Sequence, residues 1–157
     1  MAWRVVRRAR SDDGVALVEF ALILPVLALM LFGMLDFGKA FNYWIDETHL
    51  ANEGARWAVV NKNPASAGTL QEYIRSQATT PELRNGGTAS VADPVRVCVE
   101  FPAGTSNVGD PVRVTVTATY KWLALIAQRL SVTQTDISGA ATMRLEAKPT
   151  NYGAGCA

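Results

Sequence analysis

The stretch VALVEFALILPVLALMLFGML, residues 15–35, holds one charged side chain in 21 positions. At ~1.5 Å per helical residue it reaches about 31 Å, close to the thickness of a bilayer's hydrocarbon core. It reads as a membrane span. Lipid offers no hydrogen-bond partners, so a lone span of this length satisfies its backbone only as a helix. Pro25 lacks an N–H and crowds the carbonyl four residues earlier, so it is expected to kink that helix.

The flanks set the orientation. Residues 1–14 carry Arg4, Arg7, Arg8 and Arg10 against Asp12 and Asp13, whereas residues 36–56 carry four acids and two bases. The arginine side is expected in the cytoplasm, and everything after Leu35 outside the inner membrane, in the periplasm of a bacterial cell. A cleaved secretory signal shares the outline of a basic start and an apolar run. However, this run exceeds the ~7–15 residues of a signal core and holds a glutamate, Glu19. A plain uncleaved signal anchor is the stronger rival.

Composition narrows the function classes. The 157 residues leave room for one ordinary domain and an appendage, and 15 basic against 14 acidic residues give a formal charge of +1. That balance does not recommend a nucleic-acid binder. One His and two Cys set 58 positions apart form no zinc motif, no CxxC and no conventional triad. No phosphate-loop or dinucleotide spacing occurs, and Ser66, Ser76 and Ser106 lack a nucleophile-elbow context. Neither a catalytic role nor a cofactor, a metal or a small-molecule substrate is expected. His49 lies near Asp46, Glu47 and Glu53, but a set with one imidazole reads as a solvated helix face. Asp93-Pro94 and Asp110-Pro111 read as turn starts.

Glu19 sits at the fifth position of the apolar run. A carboxylate costs ~2.5–3.5 kcal/mol at mid-bilayer and less near the interface, so it needs a partner. Cleavage after Gly14 would create one, because Val15 would gain an α-amino group of pKa ~7.7–8.0. The amine and Glu19 would then lie four residues apart on one helix face, able to neutralise one another within a chain or between staggered chains.

Gly14-Val15-Ala16-Leu17-Val18-Glu19-Phe20 resembles a prepilin-peptidase site of the Flp or Tad type. A small residue precedes the cut, Glu is fifth and an aromatic sixth in the mature chain. Here the sixth is Phe20, where principal Flp pilins usually carry Tyr. The wider run GVALVEFALILPVLALMLFGMLDFGKAF, followed by Asn52-Glu53-Gly54-Ala55-Arg56, is similar to TadE-like proteins, minor pseudopilins of tight-adherence pili. The resemblance is strong over residues 14–58 and only an outline beyond. It implies processing by a membrane prepilin peptidase, Gly14 and Val15 forming the cut and Glu19 and Phe20 serving recognition and register. It also implies partnership with other pilins and pseudopilins and the pilus secretion platform. Principal Flp pilins are little more than the helix, so 122 residues after Leu35 point to a minor component. The alternative is a permanently anchored periplasmic scaffolding or binding module that never enters a fibre.

Beyond the span, apolar or small residues at 37, 41, 44, 45, 48, 51, 55, 58 and 59 keep helical spacing with one narrow face. The helix is therefore expected to run on to Val60, about 69 Å from Val15 at 1.5 Å per residue. Gly38, Ala40, Ala51, Gly54, Ala55 and Ala58 thin its surface, for a partner helix or for the chain's own core. Asn61-Lys62-Asn63-Pro64 stops it. Thr69-Leu70-Gln71-Glu72 fits a capping box opening a short helix to about Ala78, ahead of Pro81. Residues 95–101 and 112–120 alternate as half-buried strands joined by a hairpin loop, and a third strand is expected over 135–146. Residues 122–130 read as a short helix or a flap on the membrane surface.

The expected organisation is a leader over 1–14, a span over 15–35, a periplasmic continuation of the helix over 36–60 and a small domain over 61–157. The fold class is α+β, a long N-terminal helix packed on a small antiparallel sheet, as in pilin-like proteins. In an oxidising compartment Cys98 and Cys156 either pair, tying the Gly-rich tail to the sheet, or remain a buried and a loose thiol.

Overall fold

The computed structural model describes residues 12–65, 68–123, 131 and 133–157. The chain divides into two compact units, Met1–Leu35 and Asp36–Ala157. Seven elements follow in order: α1 (Asp12–Val59), α2 (Leu70–Ser76), α3 (Pro81–Asn85), β1 (Arg96–Glu100), β2 (Pro111–Lys121), β3 (Gln134–Arg144) and β4 (Gly155–Cys156). The class is α+β, as the sequence implies.

The first unit is described from Asp12 onward and is helical throughout. Its residues from Gly14 to Leu35 are exposed, apart from the half-buried Ala28 and Gly33. A sheath of bare Leu, Val, Ile and Phe matches a lipid-facing helix in length and composition. Helix α1 is unbroken through Pro25. The arginines of the expected leader lie outside the described residues.

The second unit is an antiparallel four-stranded sheet in the order β3-β2-β1-β4, with one face dry. Val97 pairs with Val116, Val99 with Val114, and Val114 in turn with Ala141. These valines and Ala141 are buried, while Arg96, Glu100, Arg113 and Thr119 on the opposite face stay in water. The pleat thus converts a two-residue alternation into a core. Leu50, Ala51, Ala55 and Ala58 of α1, Leu70 and Ile74 of α2, and Leu83 of α3 complete the same cluster.

Local chemistry fixes the ends of the elements. Asn61 takes φ 52°, its N–H donates to the Ala58 carbonyl and that of Lys62 to Trp57, an αL helix stop of the Schellman kind. The Asn61 side chain also accepts from the amides of Thr150 and Asn151 at 2.8 and 2.9 Å, clasping a segment some ninety positions away. The capping box at Thr69 is formed in both directions, at 3.2 Å to the Glu72 amide and 2.8 Å from the Thr69 amide. The Thr69 backbone amide, followed by the Thr69 side chain, lowers the Glu72 pKa.

Several expectations need correction. Helix α2 ends at Ser76 rather than Ala78, and β3 at Arg144 rather than Glu146. Helix α3 and strand β4 have no counterpart in the sequence pattern. Pro81, read as a stop, is instead the first residue of α3, where its missing N–H costs nothing. Trp122 and Leu123 follow β2 as irregular backbone rather than helix, and the rest of the expected 122–130 helix lies outside the described residues.

Candidate functional site

Two groups of residues carry the chemistry of this chain, one in each unit. In the first unit, Gly14, Val15, Glu19 and Phe20 all lie on α1 and are exposed. Val15 and Glu19, four residues apart, share a helix face. A positive charge at Val15 would therefore sit one turn from the Glu19 carboxylate. Glu19 makes no ion pair among the described residues. Pro25 lies inside α1, six residues after Glu19.

In the second unit, α1 turns three of its acids inward and several large apolar residues outward. Asp36, Asp46 and Glu47 are buried, while Phe37, Phe41, Trp44 and Ile45 are exposed. The apolar face expected through 37, 41, 44, 45 and 48 is therefore not the core face in this stretch. The core face runs through Ala40, Tyr43, Glu47, Leu50, Ala51, Gly54, Ala55 and Ala58. Two of the four residues expected on a solvated face around His49, Asp46 and Glu47, are in the interior.

Each buried acid has a distinct environment. Asp36 accepts from the Tyr120 hydroxyl and, at 2.9 Å, from the Leu123 amide. Burial, followed by the hydrogen bond to Asp36, raises the Tyr120 pKa, so the phenol stays protonated and remains a donor. Asp46 accepts from the amides of Thr79 and Thr80 at 3.4 and 3.0 Å, serving as an N-terminal acceptor for α3, whose Thr80 makes no side-chain cap of its own. Neither oxygen of Glu47 completes a hydrogen bond. Burial pushes Glu47 up to about 9, opposed by the Ala118 backbone and assisted by the charge of Asp46, so the side chain is a neutral acid at pH 7.

Two glycines explain how closely α1 lies on the sheet. A Cβ on Gly139 would fall 2.6 Å from Thr48 Cα and 2.5 Å from the Glu47 carbonyl carbon. On Gly54 it would fall 2.6 Å from Ile74 Cδ1 and 3.2 Å from Val114 Cγ1. Gly54 and its small neighbours Ala51, Ala55 and Ala58 are thus spent on the chain's own core. Gly38 faces open space.

Cys98 and Cys156 are disulfide-bonded across β1 and β4, with Cα atoms 4.0 Å apart. Gln71 Nε2 donates to the carbonyls of Gly153 and Gly155 at 3.1 and 3.2 Å, so the tail is held from α2 as well. A surface hollow of about 350 Å³ on α1 is lined by His49, Asn52, Glu53, Arg56, Trp57 and Val60. His49 Nδ1 and Glu53 Oε2 are 4.0 Å apart there. No group of three potential metal ligands occurs among the described residues.

Residues 14–56 match the family model described as TadE-like protein. The match begins at the residue before the expected cut and ends at Arg56, within the last turn of α1. No curated protein and no solved structure matches the chain.

Proposed function

We propose that this chain is a minor pseudopilin-like subunit required to assemble a Flp/Tad-type adhesive pilus. The observation that carries the reading is the TadE-like match over residues 14–56, laid on a helix whose apolar run over 15–35 holds one carboxylate, Glu19, five positions after Gly14. A prepilin peptidase cuts after Gly14, and the new Val15 amine becomes the counterion of Glu19. The arginine-bearing leader stays cytoplasmic, the span lies in the inner membrane and the second unit faces the periplasm. A disulfide between Cys98 and Cys156 supports an oxidising compartment for that unit.

Assembly draws the mature helix from the bilayer and packs it against similar helices of other pilins and pseudopilins on the secretion platform. Apolar faces supply most of the cohesion. The Glu19 carboxylate and the Val15 amine penalise staggers that leave either charge alone in an apolar surrounding, which sets register. The chain catalyses no step in this reading.

A second reading, a permanently anchored periplasmic scaffolding or binding module outside any fibre, draws support from the use of Ala51, Gly54, Ala55 and Ala58 in the chain's own core. N-terminal sequencing of the protein from its host separates the two. A start at Val15 supports the pilus subunit, and an intact leader supports the anchor. Glu19→Ala then tests register: pilus incorporation falls while membrane insertion persists, and normal pili built from that variant would refute it.

A further inference from the structure

In the first turns of the second unit α1 is inverted relative to a helix lying in water. Asp36 is buried, whereas Phe37 and Phe41 are 61% and 58% exposed. Trp122 joins them from the end of β2, its ring centroid 5.0 Å from that of Phe37. The Trp122 indole N–H donates to Thr135 Oγ1 at 2.9 Å, and the next residue, Leu123, donates its amide to Asp36. Tyr120 stacks edge-on against Trp122 at 5.0 Å from within. Leu123, 43% exposed, and Trp122 are thereby held level with residues 36 and 37 of the helix.

The chain itself indicates what covers this rim. The apolar run ends at Leu35, so Phe37 emerges about 3 Å and Phe41 about 9 Å beyond it at 1.5 Å per residue. The polar layer on each side of a bilayer's hydrocarbon core is ~5–8 Å thick, so these rings leave the span within or just above the headgroups. Aromatic side chains are enriched at that depth, where an apolar ring body and a polar tip are both accommodated. Trp122 is such a group, and the exposed Lys121 precedes it. Trp44 and Ile45, roughly 14 Å and 15 Å beyond Leu35, stand clear of this layer.

We infer that Phe37, Phe41, Trp122 and Leu123 form a bilayer-contact rim that seats the second unit on the phospholipid headgroups of the membrane anchoring the chain. The rim is built from two sequence-distant segments joined by Asp36. The inference rests on residues 15–35 being a membrane span.

The test uses the full chain reconstituted at about one copy per vesicle, a dilution at which a second copy cannot supply the cover. Vesicles of phosphatidylcholine and phosphatidylglycerol carry bromine either near the headgroup or deep in the acyl chain. One variant, Trp3→Phe with Trp44→Phe and Trp57→Phe, leaves only Trp122, and its counterpart leaves only Trp57. Shallow bromine is expected to remove about half of the Trp122 emission and little of the Trp57 emission, as for an interfacial ring. Phe41→Trp in a tryptophan-free background, at an exposed position, gives an independent probe with the same expected result. Quenching of Trp122 and of the Phe41→Trp probe no greater than that of Trp57 overturns the inference. So does shielding that appears only when several copies share a vesicle, which would assign the rim to a second copy. Leu27→Trp in the tryptophan-free background reports the span: if deep bromine quenches it while the rim stays bright, only the rim inference fails.

Discussion

The Tyr120 hydroxyl donates to the carboxylate of Asp36, joining the end of β2 to the first helical turn of the second unit. Both groups are buried, and the second oxygen of Asp36 holds the Leu123 amide. Asp36→Ala strands the Leu123 amide and leaves the Tyr120 hydroxyl only the Asp36 carbonyl at 3.3 Å, and is expected to cost about 2–4 kcal/mol. Tyr120→Phe leaves the Leu123 bond in place and is expected to cost about 1 kcal/mol. Denaturant midpoints of the detergent-solubilised protein check the order, and equal losses would contradict the shared-acceptor geometry.

Glu47 predicts an unusual pH dependence. Its folded-state pKa of about 9 lies above the ordinary 4.5, so between these values the folded protein holds a proton that the unfolded chain releases. Its contribution to stability is complete below about pH 4.5 and is lost as pH rises toward 9, by at most about 1.4 kcal/mol per pH unit. Glu47→Gln is expected to flatten that decline and to raise the melting temperature at pH 8. Parallel pH profiles for the two proteins would place Glu47 in water.

Gly139 and Gly38 should respond oppositely to the same substitution. Gly139→Ala drives a methyl into the α1 backbone at Glu47 and Thr48, which cannot yield as a side-chain tip would, and is expected to cost at least about 2–3 kcal/mol. Gly38→Ala meets nothing within 4 Å and gains about 0.5–1 kcal/mol of helix propensity. Thermal melts of the two variants decide the matter.

Reduction of Cys98–Cys156 should release the tail. The bridge closes a loop over a separation of 58 residues, worth up to ~4 kcal/mol in the chain-entropy account. Besides the bridge, the tail is held by the paired bonds between Val97 and Ala157 at 2.9 and 3.0 Å and by Gln71 on the Gly153 and Gly155 carbonyls. Reductant or Cys98→Ala with Cys156→Ala is expected to lower the melting temperature by on the order of 10 °C and to speed amide exchange in residues 153–157.

Much of this architecture is legible because a period or a local bond writes it. The span, the alternating valines of β1 and β2 and the Thr69 capping box each depend on neighbours within a few residues. The face of α1 beyond Leu35 departs from its sequence reading for a physical reason: inward apolar residues are the rule when water lies outside, and Phe37 and Phe41 do not obey it. Nothing local distinguishes buried Glu47 from half-buried Glu53. The signal lies on another strand, where a glycine amid β3 marks a close backbone approach. Strand β4 is too short for any pattern, and α3 borrows its N-terminal acceptor from Asp46, more than thirty residues upstream.

The position of β4 also limits how copies of this protein can join. An uncovered strand margin invites another chain to extend the sheet, yet here the outer margin of β1 is occupied by β4, covalently fastened at Cys98. A donated strand cannot pair with β1 without displacing that bonded pair, so an ordered array is left the helices and the two outermost strands, β3 and the two-residue β4.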